Sequence, residues 1–493
     1  MPLLKSLYIG VNFKMRKLFF LSVQILVFFS CTVFFSCIDH LNDIEDDNKV
    51  KIVDPILKTV PLEFDALGYG YDIMGDYLAT TSIRRPVLDV NKLKANRPND
   101  ILVYTGTSGY SVFSYGEDAY SYIKDVSKDF NLNLSASSKE KTFSGTISLN
   151  SYFNDNYSYS TKYSFASCDV TKCIKRIKLD IVLSNLLDYL DPTFIVDINN
   201  LSADLLVEKY GTHVLIDFSV GGRLKLIYKS AIINVSNSTT KKDAIKAGFN
   251  VTIKMVNLAA DATVSNQTIE TYKSSNTDKS LYVQYYGGEG SGMSYNLENG
   301  TPSLNVNSWE SSVNINNCAL VDVNWTTTYA IYDFISNSSK KAEIKAAVER
   351  HIEKNKISVL KLTPMYKLFN NGIKDTFYEF GYDKAVASGS IIEGVVGYVL
   401  VEQNPDTKPI YKLFNNDAKD TFYMFDYNQA ISSGSRFEGF TGVYALSQSD
   451  NNTIPVYKLF NKNIKDTFYM FDYNQAISSG SKFEGFTGVY IYK

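Results

Sequence analysis

The sequence predicts a strand-rich extracellular protein of two or three domains that closes in an all-β module. Three observations carry this expectation. The chain has 493 residues, and a domain takes roughly 150. It holds 36 Tyr and 30 Phe beside only 2 Trp, and aromatic side chains favour half-buried strands. From Pro364 onward the sequence falls into three tandem units.

Composition also excludes several functions. Lys and Arg number 50 against 52 Asp and Glu, so no basic face is available for nucleic acid. Charged residues make up 21% and hydrophobic ones 45%, which suits a folded chain rather than a disordered one. Only 3 His and 5 Cys are present, leaving little material for a metal cluster or a His-based catalytic centre. No nucleophile–base pair or phosphate loop is readable. Neither enzyme activity nor a cofactor or metal is expected.

The N-terminus reads as an address. Met15-Arg16-Lys17 precedes an apolar run, Leu18 to Phe35, that ends at Ser36-Cys37. A basic start, an apolar stretch and a small residue before the cut describe a secretory signal, with Met15 as a candidate start. The Ser-Cys junction resembles a bacterial lipobox, which makes Cys37 the lipidated residue. Cys31 ends an equivalent Val-Phe-Phe-Ser-Cys. Cys37 is preferred because a polar, acidic stretch follows it, read as a linker over residues 38–61. A plain transmembrane anchor is the alternative. The acidic run resembles the surface-export signal of Bacteroidetes lipoproteins, which implies an outer-membrane or secreted bacterial protein. Outside the cytoplasm Cys168 and Cys173 are candidates for a local disulfide.

Residues 62–356 read as one domain. Near its centre stand Tyr210-Gly211-Thr212-His213 and, after a short apolar run, Gly221-Gly222. This stretch resembles the signature of the membrane attack complex/perforin (MACPF) family. It departs at Val214, where the family usually has Phe or Tyr. Leu67-Gly68-Tyr69-Gly70-Tyr71-Asp72 resembles the family's N-terminal strand, and Tyr285-Tyr286-Gly287-Gly288 a later glycine-bearing strand. Trp309 and Ile331-Tyr332-Asp333-Phe334-Ile335 resemble its closing elements.

The resemblance implies an α+β fold: a bent, four-stranded antiparallel sheet flanked by two helical clusters that unfurl into strands on a membrane. It makes His213 structural. Gly221, Gly222, Gly287 and Gly288 would permit the bend, because glycine adopts backbone angles that other residues do not.

Alternation tests that implication independently. A membrane strand needs about 9–11 residues with every second side chain apolar. In 245–255 every odd position is apolar: Ile245, Ala247, Phe249, Val251, Ile253 and Met255. On a helix these fall into two opposed arcs, so a strand fits better. Phe130, Leu132 and Leu134 alternate likewise, as do Tyr157, Tyr159, Tyr163 and Phe165, with a lapse at Thr161. These are the expected membrane-facing positions, and the Ser, Thr, Asn and Lys between them suit a neutral to weakly basic lumen.

The closing units begin at Pro364, Pro409 and Pro455, at periods of 45 and 46 residues. Residues 420–444 and 466–490 differ at one position in 25, Arg436 against Lys482. Each unit reads as two strands, a helical turn and a third strand. One unit cannot bury its apolar face alone, so residues 361–493 are expected to close with pseudo-threefold symmetry, as a β-trefoil or three blades. Phe377, Phe422 and Phe468 are expected in the core. Tyr366, Tyr411 and Tyr457 are the candidates for target binding.

Together these readings point to a surface-anchored or released pore-forming protein. It resembles the MACPF antimicrobial toxins of gut Bacteroidales. Residues near 126–165 and 231–275 would insert after self-assembly into a homo-oligomeric ring, since a lone hairpin leaves unpaired backbone in lipid. The repeats would recognise a surface glycan, lipid or outer-membrane protein. The rival reading is a non-lytic adhesin on the same scaffold.

Overall fold

The computed structural model describes residues 66–127, 159–258, 264–300, 302–356 and 358–493. Cys37, Cys31, Phe130, Leu132, Leu134 and Tyr157 lie outside the described residues.

The central sheet is antiparallel. Its four long strands are β1 (Ile101–Gly116), β2 (Tyr163–Leu179), β3 (Asp217–Ile232) and β4 (Asn276–Tyr286), in that order. A short β5 (Met293–Asn296) pairs with β4 over Ser280–Val283, and β6 (Ala319–Val323) pairs with the start of β3. Successive side chains point to opposite faces. Leu224, Leu226, Tyr228 and Ile232 of β3 face one way and join Ala166, Cys168, Leu281 and Val283 in one core. On the other face of β3 stand Arg223, Lys225 and Lys229, all buried. The Arg223 guanidinium stacks 4.3 Å from the Tyr286 ring centre, and its Nη2 donates to the Tyr77 carbonyl at 2.8 Å.

The sheet bends where irregularities line up across three strands. Thr105 pairs with Lys175 but Ser108 with Cys173, and Cys173 pairs with Gly221 but Lys175 with Val220. The extra residues bulge and kink the ladder. Here one expectation is corrected. Gly221 and Gly222 are needed for space, not for unusual backbone angles: neither has a positive φ. A Cβ on Gly221 would sit 1.9 Å from the Lys172 carbonyl oxygen, and one on Gly222 2.4 Å from Val313 Cγ2. Gly287 and Gly288 do adopt φ of +67° and +72°, angles that glycine takes without steric cost.

Four helices matter below: α1 (Ala119–Ser127), α2 (Ala203–Tyr210), α3 (Ser238–Met255) and α4 (Asn266–Ser275). In this state Ile245–Met255 is helix rather than the strand that alternation predicts. Positions 245, 249 and 253 are four apart, so they satisfy both periods. Ile245, Phe249 and Ile253, with Ala244 and Val256, pack on the apolar face of the sheet. Val251 is also buried, Ala247 is half-buried, and Met255 is exposed. The helix starts in a capping box, with Asn237 Oδ1 accepting from the Thr240 N–H at 3.0 Å and the Asn237 N–H donating to Thr240 Oγ1 at 3.1 Å.

Tyr163 and Phe165 belong to β2 and are core residues, with the Phe165 ring 5.9 Å from that of Tyr122 on α1. The disulfide expectation is also corrected. Cys168 and Cys173 are free and lie on the same strand, β2. Five residues of strand span roughly 16 Å, far beyond the ~7 Å limit between bridged Cα atoms.

The repeats form three blades of three strands. Each first strand (Leu362–Asn370, Thr407–Asn415, Thr453–Asn461) lies between its second (Asp375–Phe380, Asp420–Met424, Asp466–Met470) and its third (Ile391–Leu400, Arg436–Leu446, Lys482–Tyr492). The third strands pair with one another at one end: Leu400 with Tyr444, Leu446 with Tyr490 and Tyr398 with Tyr492. Of the two closed forms expected, this strand order is the bladed one. The unequal period has a local cause. Two residues separate Val395 from Tyr398, the partners of Tyr366 and Pro364, whereas three separate Phe440 from Tyr444, the partners of Tyr411 and Pro409.

At the module's centre the three blades bond in a cycle. The Tyr378 N–H donates to Tyr423 Oη at 2.9 Å, the Tyr423 N–H to Tyr469 Oη at 2.9 Å and the Tyr469 N–H to Tyr378 Oη at 3.0 Å. Each hydroxyl in turn donates to a carbonyl of the ring: Tyr378 to Tyr469, Tyr423 to Tyr378 and Tyr469 to Tyr423.

Candidate functional site

The signature runs from a small four-stranded sheet, which holds His213–Val214, into the central sheet, which holds Gly221 and Gly222. Helix α2 ends at Tyr210, whose hydroxyl donates to Asp197 Oδ2 at 2.5 Å, and Gly211 turns the chain with φ +77°. The Thr212 N–H donates to the Tyr71 carbonyl at 2.8 Å. His213–Val214 then pairs with Tyr69–Tyr71 on one side and Tyr329–Ala330 on the other. Gly70 is required here, because a Cβ would lie 1.8 Å from the Tyr210 carbonyl oxygen. Thus the N-terminal strand, the signature and a closing element are neighbours in one small sheet.

His213 is buried, with Nδ1 3.0 Å from Thr212 Oγ1 and its ring edge-on to Trp325 at 6.2 Å. Burial pushes its pKa down to about 4, with Asp72 opposing weakly. The ring is therefore neutral at physiological pH and is placed as a packing and tethering group. Sequence reasoning missed the ion cluster beside it. His351 Nε2 lies 3.1 Å from both Asp72 oxygens, and Arg84 Nη2 donates to Asp72 Oδ2 at 3.0 Å. Burial alone would raise the Asp72 pKa, but His351 and Arg84 hold it below the usual range.

Two sheet edges differ in cover. Among the described residues strand β1 pairs only with β2, and its middle is exposed, including Val103, Tyr104, Tyr110, Val112 and Phe113. The opposite edge, on β4, is covered by β5 over four residues, Ser280–Val283. A long unpaired edge is a ready template for another strand. Beside the bulged strands a cavity of about 730 Å³ opens, lined by Tyr104, Tyr110, Cys173, Arg176, Asp217 and Trp325 among others.

The three candidate tyrosines of the repeats do not share one environment. Tyr366 is buried and its hydroxyl accepts from the Asn234 N–H at 3.1 Å, so it is a contact with the sheet domain and not a target-binding position. Tyr411 and Tyr457 are half-buried, each at the base of an aromatic pad. Tyr427, Phe437 and Phe440 surround Tyr411 with ring centres 5.7, 5.7 and 6.1 Å away. Tyr473, Phe483 and Phe486 surround Tyr457 at 5.7, 5.8 and 6.0 Å. Tyr427 and Tyr473 remain 52% and 51% exposed, and Phe440 and Phe486 each 46%. Nearby charges are paired within the module: Arg436 with Glu438, Lys412 with Glu379, and Lys458 and Lys482 with Glu484.

Three buried carboxylates sit together near the pseudo-threefold axis. Oxygens of Asp375, Asp420 and Asp466 lie within 4.8 Å of one another. All are engaged, since Thr421, Thr467 and Thr376 donate backbone N–H groups to them at 2.8, 2.7 and 2.7 Å. Burial first, then mutual repulsion, pushes the Asp375 pKa up to about 6 against the Thr421 hydrogen bonds. Asp420 and Asp466 are also raised, chiefly by burial. The folded module therefore holds protons that the unfolded chain releases above about pH 4. The contribution of these carboxyls to stability is fully present below that pH and is lost as pH rises through about 6. We expect the module's melting temperature to be several degrees higher at pH 5 than at pH 7.5, and Asp375→Asn to flatten that slope in calorimetry.

The fold and signature define the class of protein to which this chain belongs. The MAC/Perforin domain family matches residues 60–361, more than half of the sequence, and the chain belongs to that family. A domain of unknown function, DUF5648, matches over residues 334–442 and again over 364–491, across the repeats. No curated protein matches the sequence. Among solved structures the chain is similar to a candidate cell invasion protein with a MAC/Perforin domain from Bacteroides thetaiotaomicron, at 16% identity and a TM-score of 0.48, covering 79% of this chain and 74% of that one. It is also similar to GNIP1Aa from Chromobacterium piscinae, at 14% identity and TM-score 0.47, covering 87% and 82%. The family assignment rests on the domain match.

Proposed function

We propose that this protein forms pores in a target membrane. One observation carries the reading. Strands β1 and β2 are antiparallel neighbours, as are β3 and β4, yet each pair is joined by a long excursion, residues 117–162 and 233–275. Adjacent antiparallel strands need only a short turn. Each excursion is long enough for two membrane strands of about 9–11 residues, continuing the ladder it interrupts. The double period of 245–255 lets one sequence serve as helix now and strand later. No helix among the described residues is long and apolar enough to cross a membrane, so strands are the spanning elements of this proposal.

Assembly would use the edge of β1 that no described strand covers against the β4 edge of a neighbour once β5 moves aside. Closure into a ring removes every edge, which lipid demands. The aromatic pads of repeats two and three would recognise the target. Flat rings beside amides such as Asn428 and Asn474 suit an uncharged surface glycan, and two copies on one module would add avidity. Lipidation at Cys37 would hold the protein on the bacterial surface before release. The pads also favour a second reading, a non-lytic adhesin, because they do not depend on insertion.

Dye release from vesicles made with target-envelope extract, combined with imaging of rings, tests the first reading. Leakage and rings are expected. Binding without either supports the adhesin instead. Phe440→Ser with Phe486→Ser should reduce binding at least tenfold and leave the melting temperature within about 2 °C of wild type, because both rings are half-exposed.

A further inference from the structure

We infer that the first repeat and the linker before it form a latch that holds the inserting segments in their stored state, while repeats two and three face the target. The inference rests on the pore-forming reading and assigns its restraint. Both excursions meet the sheet at joints: Tyr159–Lys162 leading into β2, Ile232–Asn234 leaving β3, and Asn276–Asp278 leading into β4. All three joints are tied, directly or through Lys162, to the C-terminal module.

At the first joint Ser160 bridges to Leu360, the Thr161 N–H donates to the Leu360 carbonyl at 2.9 Å, and the Leu360 N–H donates to the Tyr159 carbonyl at 3.1 Å. Thr161 Oγ1 also donates to the Leu362 carbonyl and accepts from the Leu362 N–H, both at 2.7 Å. Lys241 of α3 donates to the Thr161 carbonyl at 2.7 Å, so the stored helix is fastened to the same point. At the second joint Asn234, held at φ +59°, donates its N–H to Tyr366 Oη. At the third, Lys162 Nζ lies 3.1 Å from Asp278 Oδ2 and donates to the carbonyl of Lys493. Beneath these bonds Tyr398, Leu400, Leu446 and Tyr492 of the module share a core with Tyr163, Ile227, Ala231 and Tyr282 of the sheet.

The latch explains why the first unit has diverged while the other two are nearly identical. Where units two and three carry Phe437 and Phe440, or Phe483 and Phe486, unit one carries Ile392 and Val395, and its tyrosine is buried against Asn234. It has exchanged a pad for a docking face. A strand cannot grow past β2 or β3 while these joints are bonded, so the first repeat must shift before either excursion extends its ladder.

Two measurements on the full chain test this. Bridged residues in neighbouring strands sit about 4.8 Å apart, within the range a disulfide spans, so Ser160→Cys with Leu360→Cys should lock the latch. Oxidised, this variant should bind vesicles of target-envelope extract normally but release dye at least tenfold more slowly than after reduction. Equal rates in the two states would overturn the latch. The second readout needs no membrane. Tyr366→Phe should speed hydrogen exchange about tenfold at Asn234 and through α3 and leave the His213 strand unchanged. Unchanged exchange in α3 would also overturn it. If neither redox state leaks, the pore-forming reading fails, and the exchange result decides the latch by itself.

Discussion

Gly221→Ala is expected to abolish the folded central sheet. The added Cβ would meet the Lys172 carbonyl oxygen at 1.9 Å and the Cys173 Cα at 3.0 Å. Both are backbone atoms of the paired strand, and they sit at the bulge where the register is already shifted. Neither can retreat without breaking the β2–β3 ladder. A cost above about 4 kcal/mol is expected, which removes most of the stability of a domain at the low end of the usual 5–15 kcal/mol. Gly109→Ala is the control, because the nearest atom to its Cβ is the Thr171 carbonyl oxygen at 3.4 Å. Circular dichroism melts should show the control near wild type and Gly221→Ala largely unfolded. A Gly221→Ala melt matching wild type would remove the space argument for the bend.

Tyr378→Phe is expected to destabilise the repeat module by about 2–4 kcal/mol, because one deletion orphans two buried backbone groups. The Tyr469 N–H loses its acceptor and the Tyr469 carbonyl loses its donor. The cycle predicts similar losses for Tyr423→Phe and Tyr469→Phe, and a triple variant that falls short of their sum because the bonds form one network. Tyr427→Phe, with its exposed ring, should change stability by less than about 0.5 kcal/mol. Urea unfolding of the full chain, followed by tyrosine fluorescence, would separate these outcomes.

Much of this organisation was legible in the chain. The repeats announced themselves by their spacing, and the Tyr210–His213 signature pointed to the fold that its hydrogen bonds to the Tyr69–Tyr71 strand build. Other features were hidden for physical reasons. Periodicity could not separate helix from strand in 245–255, since residues four apart serve both; Asn237 and Thr240 start the helix, and the sheet's apolar face completes it. The Gly221–Gly222 pair was visible, but the Lys172 carbonyl that forbids a side chain comes from another strand. Cys168 and Cys173 look close in sequence and are held apart by the extended strand between them. Tyr366, Tyr411 and Tyr457 occupy one position in the repeat, yet only tertiary packing buries the first. The Asp-Thr pair of each unit was plain, while its closure into a ring of Asp375, Asp420 and Asp466 needs the threefold arrangement.

The central claim is that residues 245–255 change from stored helix to membrane strand. Environment-sensitive dyes on single cysteines at each of these positions, read before and after adding target vesicles, test it most directly. Insertion predicts that odd positions, Ile245 through Met255, move into lipid while even positions stay in water, an alternation that a membrane strand imposes. A signal that keeps the helical pattern after vesicles bind, or that does not change at all, would contradict the account.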